Sequence, residues 1–506
     1  MKIFKSALCV IMAVITIFSC CSVALAATDS YDHLPQVYVT GFASANIYYE
    51  DDPDKSPLFW PLDTERILGN LKNTGDYLKK SVKEREPNFM KTFVYNFLWD
   101  SLGMLRFNPD GSMAEGVTVE PTVLSYDGDG KYTFYYDSRR GPLELAPLLD
   151  DYIEQVKAET GSDKIELVGS SYGVNVVIAY LYSYQDSLED IDSVLLCVPS
   201  TKGISFFGEL LSGEFNVDST ALVDFITGKV NVGILADWLY LFDDAGYLNL
   251  FLKAMAIPVL RKAVYEGLLE FARDAIATIP AIWVTVGDEY FESALITMYG
   301  EDYASPDQPY ADLIDEMTDY HNNVLMEAEN IILGTMENYE DLNISIISKY
   351  GSPAIPISKN GNLMEDGFAT VEVSSFGATC ARYNETLPAD YKQAKYTEYN
   401  FMSPERNIDA STALLPFNTW FIDGLGHSQK NEDYWKLVDA IVYEDLNVFS
   451  DPEHPQFLKV SDEDPERLIP VTAPEEEKAT LYDKLWNVVR TIVLLPKTLW
   501  NKVFGR

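Results

Sequence analysis

Gly169-Ser170-Ser171-Tyr172-Gly173 constrains this chain more than any other stretch. The apolar run Ile165 to Val168 ahead of it reads as a short buried strand, and Val174 to Tyr182 behind it as a helix. A Gly-x-Ser-x-Gly pentad at such a junction makes a sharp strand-to-helix elbow. Only small residues fit beside the serine, so Gly169 and Gly173 flank it, and Ser171 is pushed into a strained, exposed position. Outside that context the same residues would be an ordinary tight turn with a capping serine.

The spacing around the elbow sets the fold class. Leu145, Leu148, Leu149, Tyr152, Ile153 and Val156 recur at helical intervals and end at Gly161, a residue suited to a C-cap. Val194 to Val198 follows as another strand, and strand-helix alternation at this pitch predicts an α/β fold, a parallel sheet with helices on its faces. Gln36 to Thr40 is a β-rich run ending at Gly41, and Thr122 to Tyr136 reads as a hairpin turning at Asp127-Gly128-Asp129-Gly130. A calcium loop would need a third carboxylate and a closing glutamate, which are missing there. Residues 203–340 carry long apolar-periodic stretches, such as Trp238 to Leu252 and Ala254 to Ala275, and predict a helical insertion over the sheet. Ile344 to Ile347 and Thr419 to Ile422 resume strand character, and Glu432 to Tyr443 predicts a terminal packing helix. No internal repeat is present.

A serine hydroxyl needs a base to take its proton. Three histidines follow the elbow. His321 sits within a polar helix and His454 between prolines, so both read as solvated bystanders. His427 stands in Asp423-Gly424-Leu425-Gly426-His427-Ser428, a glycine-rich loop off a strand end, where the base of an α/β-hydrolase belongs. The carboxylate that orients the imidazole should lie before it in the chain. Asp366 comes first, because its Asp-Gly-Phe-Ala turn resembles the Asp-Gly-x-Val turn of many lipases with Ala369 in place of valine; Glu405 and Asp409 follow closely as alternatives. An oxyanion hole needs two backbone N–H groups, nominally Tyr172 after the nucleophile and Phe42 in the turn after the first strand. No His/Cys/carboxylate cluster or phosphate loop points to a metal or nucleotide, so no cofactor is expected.

The ends of the chain suggest an address and a surface. Lys2 and Lys5, an apolar run from Ala7 to Val23 and the small-x-small site Ala24-Leu25-Ala26 read as a signal peptide over residues 1–26, placing the protein outside the cell or on the outer face of its envelope. A lipidation box ending at Cys20 is spoiled by Phe18, and a membrane anchor lacks a basic stop-transfer cluster. Cys197 and Cys380 then remain, either paired or as two core thiols, which is no disulfide scaffold. The main domain is expected over 27–450 and an acidic, proline-bearing linker over 451–478. Residues 479–506 hold five basic side chains against Asp483 and an apolar helical face, which suits a membrane surface or the protein's own acidic body. A net charge of −40 excludes nucleic acid as a partner.

Taken in order, these features resemble the lecithin:cholesterol acyltransferase-like family of the α/β-hydrolase superfamily. Val39-Thr40-Gly41-Phe42 is similar to its Pro-Gly oxyanion turn with Thr40 for proline, Tyr136-Asp137-Ser138-Arg139 to its Tyr-Asp-Trp-Arg motif without the tryptophan, and Gly169 to Gly173 to its Gly-His-Ser-Leu-Gly elbow with Ser170 and Tyr172 substituted. Val198-Pro199-Ser200-Thr201-Lys202-Gly203 is similar to its Ala-Pro-x-x-Gly stretch, and Lys349-Tyr350-Gly351 stands where the family has a strand-ending Tyr-Gly. The resemblance runs from about residue 36 to 445 and implies acyl-ester chemistry on lipids, by hydrolysis or transfer to an alcohol, under a cap that supplies an apolar pocket. Leu58-Phe59-Trp60-Pro61 would be buried under that cap or form a lipid-contact wedge. The contrasting expectations are a secreted binding protein that keeps the fold without turnover, and a peptidase of the same fold.

Overall fold

The computed structural model describes residues 33–42, 44–49, 64–84, 86, 88–214, 258–353, 363–444 and 446–473. The expected signal peptide, the Leu58 to Pro61 run, the helix from Trp238 to Leu252 and the basic segment 479–506 lie outside them. No described helix is long and apolar enough to cross a membrane.

A central sheet organises the chain. Its strands are β1 (Gln36–Val39), β2 (Tyr126–Gly128), β3 (Lys131–Phe134), β4 (Ile165–Ser170), β5 (Ile191–Cys197), β6 (Asn343–Tyr350), β7 (Thr419–Asp423), β8 (Phe457–Val460) and β9 (Leu468–Pro470). They lie in the order β9-β8-β7-β6-β5-β4-β1-β3-β2. All neighbours are parallel except the two edge pairs, β2 on β3 and β9 on β8. Because side chains alternate across a strand, each strand feeds two cores. Val37, Val39, Leu167, Val194, Leu196, Ile344 and Ile346 join the larger apolar cluster on one face. Tyr38, Val168, Leu195, Cys197 and Ile347 join the smaller one on the other. Strands covered on both faces explain the near-continuous apolar runs in the sequence.

Helices cover both faces. They are α1 (Thr64–Glu84), α2 (Phe89–Leu102), α3 (Pro142–Thr160), α4 (Tyr172–Ser183), α5 (Ser205–Ser212), α6 (Pro258–Asp274), α7 (Asp288–Tyr299), α8 (Ala311–Tyr320), α9 (Ala328–Asn338) and α10 (Glu432–Glu444). Pro142 opens α3 and Gly161, at φ 70°, closes it, the asymmetry expected of helix ends. Every residue of α4 from Tyr172 to Leu181 is buried. Such a helix is held by packing on all sides, which outweighs the weak helix preference of Val174, Val176, Val177 and Ile178.

Several expectations need correction. The stretch 451–478, read as a linker, instead carries β8 and β9, which extend the central sheet. Short edge strands with charged neighbours lack the apolar period that marks a strand. The described part of 203–340 is helical, but α9 packs on α4 and β6 as a sheet-flanking helix rather than standing over the sheet. A further helical contribution comes from α1 and α2; α2 crosses α6 so closely that a Cβ on Gly267 would lie 2.5 Å from the Lys91 carbonyl oxygen. His321 is buried, not solvated, because its ring stacks on Phe291 at 3.7 Å and its Nε2 lies 3.2 Å from Asp288. His454 is partly shielded, with Nδ1 2.6 Å from Asp451 and its carbonyl accepting from Trp420 Nε1. Cys197 and Cys380 are free thiols.

Candidate active site

Four segments converge at the carboxyl ends of the parallel strands, where loops of an open α/β sheet form a crevice. Gly41 and Phe42 leave β1, Ser171 leaves β4, Asp366 follows β6, and His427 follows β7.

Ser171 is strained. Its φ of 56° and ψ of −122° lie where a side-chain-bearing residue rarely sits. The turn is held by Ser171 N–H donating to the Cys197 carbonyl at 2.9 Å and Val174 N–H donating to the Ser171 carbonyl at 2.9 Å. A Cβ on Gly173 would lie 2.3 Å from the Val39 carbonyl oxygen and 2.6 Å from that of Thr40, so β1 passes too close for any side chain. At Gly169 it would meet Val177, Gly173 and Val174 at 3.0 to 3.1 Å.

The hydroxyl points to a base. Ser171 Oγ lies 2.7 Å from His427 Nε2, and His427 Nδ1 lies 2.7 Å from Asp366 Oδ2. With a carboxylate at Nδ1, that nitrogen carries the proton and Nε2 presents its lone pair to the serine. Asp366 is itself fixed: its Oδ1 accepts from the N–H of Phe368 at 2.9 Å and Ala369 at 2.8 Å, and its own carbonyl accepts from His427 N–H at 2.9 Å. Both side chains are buried, Asp366 fully and His427 almost so. Next to Asp366, burial and that neighbouring charge hold the Glu365 carboxyl well above the usual carboxylate range.

The alternatives lie elsewhere. Asp409 caps the 391–411 loop, accepting from the Tyr391 hydroxyl and Ala394 N–H at 2.9 Å each and from Ser411 N–H at 3.1 Å. Glu405 accepts from Asn407 and raises, through its charge, the pKa of Asp423, which burial and this repulsion push up to about 6.

The oxyanion nominees flank Ser171. Tyr172 opens α4, so its N–H has no partner within that helix. Gly41 lies over the serine, where a Cβ would be 3.0 Å from Ser171 Cβ. The Phe42 and Tyr172 rings meet edge-to-face at 6.0 Å. Thr40 anchors this turn by donating to the Phe134 carbonyl and accepting, at its own carbonyl, from the Tyr136 hydroxyl.

Supporting contacts explain the other motif residues. Arg139 holds Asp137 through two parallel bonds of 2.8 and 2.7 Å, reaches the Leu105 carbonyl and lies over the Phe107 ring at 4.8 Å. Asn175 in α4 bonds to Ser200, Thr201 and Tyr320, joining the elbow helix to the loop after β5 and to α8. Sequence reasoning missed Phe368 and Phe207. The Phe368 ring lies 4.8 Å from that of His427 and 6.3 Å from that of Phe207, forming an aromatic wall beside the base. Only the variable place in the Asp-Gly-x-Val turn hinted at Phe368. Among the described residues no three His, Cys, Asp or Glu are grouped to hold a metal ion. A cavity of about 370 Å³ opens between the end of α4 and α9, lined by Tyr182, Asn323, Asn330 and Tyr339, but none of the converging residues above borders it.

No family model and no curated protein matches the chain. Among solved structures it is similar to a chain in the crystal structure of the Tle4-Tli4 complex, at 12% identity and a TM-score of 0.28, over 79% of this chain and 95% of that one. A likeness at that level carries no argument about fold or function.

Proposed function

We propose that the chain is an exported serine esterase with an α/β-hydrolase fold and a helical cap, acting on carboxylic esters of lipids as a lipase, phospholipase or O-acyltransferase. The observation that carries this reading is the relay from Ser171 Oγ through the His427 ring to Asp366, 2.7 Å at each step, on a serine held at positive φ.

The mechanism follows from the chemistry of the relay. Ser171 Oγ attacks the ester carbonyl while His427 Nε2 takes its proton. The Asp366 charge stabilises the imidazolium, and the N–H groups of Tyr172 and Phe42 receive the oxyanion. The proton then passes to the leaving alcohol, giving an acyl-enzyme on Ser171 that water or an acceptor alcohol resolves. The lecithin:cholesterol acyltransferase-like motifs support a lipid ester, and the Phe368 and Phe207 wall supports an apolar acyl group.

Hydrolysis of p-nitrophenyl esters of increasing acyl length, beside peptide amides and with or without a long-chain alcohol, tests the reading. Activity that rises with acyl length and vanishes in Ser171→Ala is expected. Peptide cleavage alone would instead make it a peptidase, and a folded protein inert on every ester would make it a binding protein.

A further inference from the structure

Lys349 stands near the end of β6, a strand whose neighbours Ile344, Ile346 and Ile347 are buried apolar residues. It is itself completely buried, on the Ile347 side of the sheet under α10. A buried ammonium is costly unless oxygen atoms and electron-rich surfaces replace its water. Here its Nζ donates to the carbonyls of His427 at 3.2 Å, Gly426 at 3.5 Å and Gln429, and lies 4.5 Å from the Tyr434 ring centroid. Those carbonyls belong to the loop that carries the base.

The cluster reaches the nucleophile too. Tyr434 and Cys197 lie together in the buried cluster on that face of the sheet, and the Cys197 carbonyl accepts from Ser171 N–H at 2.9 Å. A continuous buried chain therefore runs from the Ser171 backbone through Cys197, Tyr434 and Lys349 to the His427 backbone.

We propose that Lys349 is a positioning residue of this site, which gathers the 426–429 carbonyls around a buried cation and, through Tyr434 and Cys197, sets the His427 loop against the Ser171 elbow. Lys349 touches no reacting atom. Its effect is on register, and a displacement of about 1 Å in such a relay costs on the order of 100-fold in rate. This rests on the reading of Ser171 and His427 as nucleophile and base.

The test compares Lys349→Met, Lys349→Arg, Tyr434→Leu and the Lys349→Met/Tyr434→Leu double variant with the wild type, by p-nitrophenyl ester kinetics and by crystallography. Lys349→Met should lower kcat about 100-fold with KM little changed, Lys349→Arg should recover part of it, and the double variant should lose less than the product of the single losses. Wild-type kcat in folded Lys349→Met, or fully independent losses, overturns the proposal. If Lys349→Met does not fold, Tyr434→Leu carries the test, with lowered kcat expected and wild-type kcat contradicting it. If the wild type cleaves no ester, the functional reading falls by itself, and the structures of the variants decide the positional claim: a shifted 426–429 loop with a lengthened Ser171 to His427 separation supports it, and an unmoved loop at 2.7 Å overturns it.

Discussion

Asp366 offers one carboxylate oxygen to the His427 ring and the other to two backbone N–H groups. Asparagine at 366 would keep an acceptor for the loop but could place an amide against Nδ1, favouring the wrong imidazole tautomer. Asp366→Asn should therefore lower kcat by about 10⁴-fold, the loss known for such a change in a serine-histidine-aspartate relay. Glu405→Gln should leave kcat unchanged, because Glu405 faces Asn407 and Asp423. Steady-state kinetics on one ester separates the two variants. Strain at Ser171 gives a second prediction. Glycine at 171 relaxes the positive φ and alanine does not, so Ser171→Gly should be more stable than Ser171→Ala by about 1 kcal/mol in urea titration. At this scale the sequence makes the serine and the histidine legible, since the pentad and the Gly-rich loop carry local signatures. The acid is legible only as a first choice among three: the Asp-Gly turn puts Asp366 just ahead of Glu405 and Asp409, and the chain's return past His427 is what tells them apart. Lys349 is hidden for a similar reason: nothing local says that a lysine in a strand will meet carbonyls from another loop.

Elements position these residues through close backbone approaches. The elbow works because β1 passes against Gly173, whose added Cβ would clash with two carbonyl oxygens at 2.3 and 2.6 Å. Neither oxygen can swing away, as both belong to the segment that exits the central strand. Gly173→Ala should lower stability by more than about 3 kcal/mol, or prevent soluble expression. Retention of wild-type thermal stability by that variant would mean that β1 and α4 are farther apart than described. The parallel core was readable from apolar runs and helix spacing, because strands covered on both faces have little room for polar residues. The edges were not. Phe457–Val460 and Leu468–Pro470 lie in an acidic, proline-bearing stretch, and pairing, of the first with β7 and of the second with the first, rather than composition makes them strands. His321 shows the same limit, since Phe291, from a helix distant in sequence, supplies the cover that makes it buried.

The whole molecule carries a net charge of −40 and several carboxyls whose pKa burial raises. Burial, countered by Ser193, pushes Glu166 up to about 7, and burial with the Glu144 charge pushes Glu316 up to about 7. A raised carboxyl pKa means that the folded state holds the proton more tightly than the unfolded one. Each such group is then most favourable to folding below its ordinary pKa, and the advantage is lost as pH rises from that value through about 7. Self-repulsion acts in the same direction, easing as the pH approaches the sequence pI of about 4.3. Against this, Asp433 and Asp451 sit below the usual range through hydrogen bonds and cationic neighbours, and their contribution disappears only at lower pH. The melting temperature should accordingly be several degrees higher near pH 5.5 than at pH 8, on the scale of about 4 °C per kcal/mol or less for a chain this size. Added salt should narrow the gap by screening the net charge. A melting temperature that rises with pH over that range would mean that paired carboxylates, not the buried ones, dominate.

The most direct measurement of the central claim is active-site labelling with a fluorophosphonate, read by intact mass and peptide mapping. A single adduct on Ser171, absent in Ser171→Ala and strongly slowed in His427→Ala, is the predicted result. A folded protein that takes no label, or that takes it at another residue while Ser171 stays free, would contradict the assignment of Ser171 as an activated nucleophile.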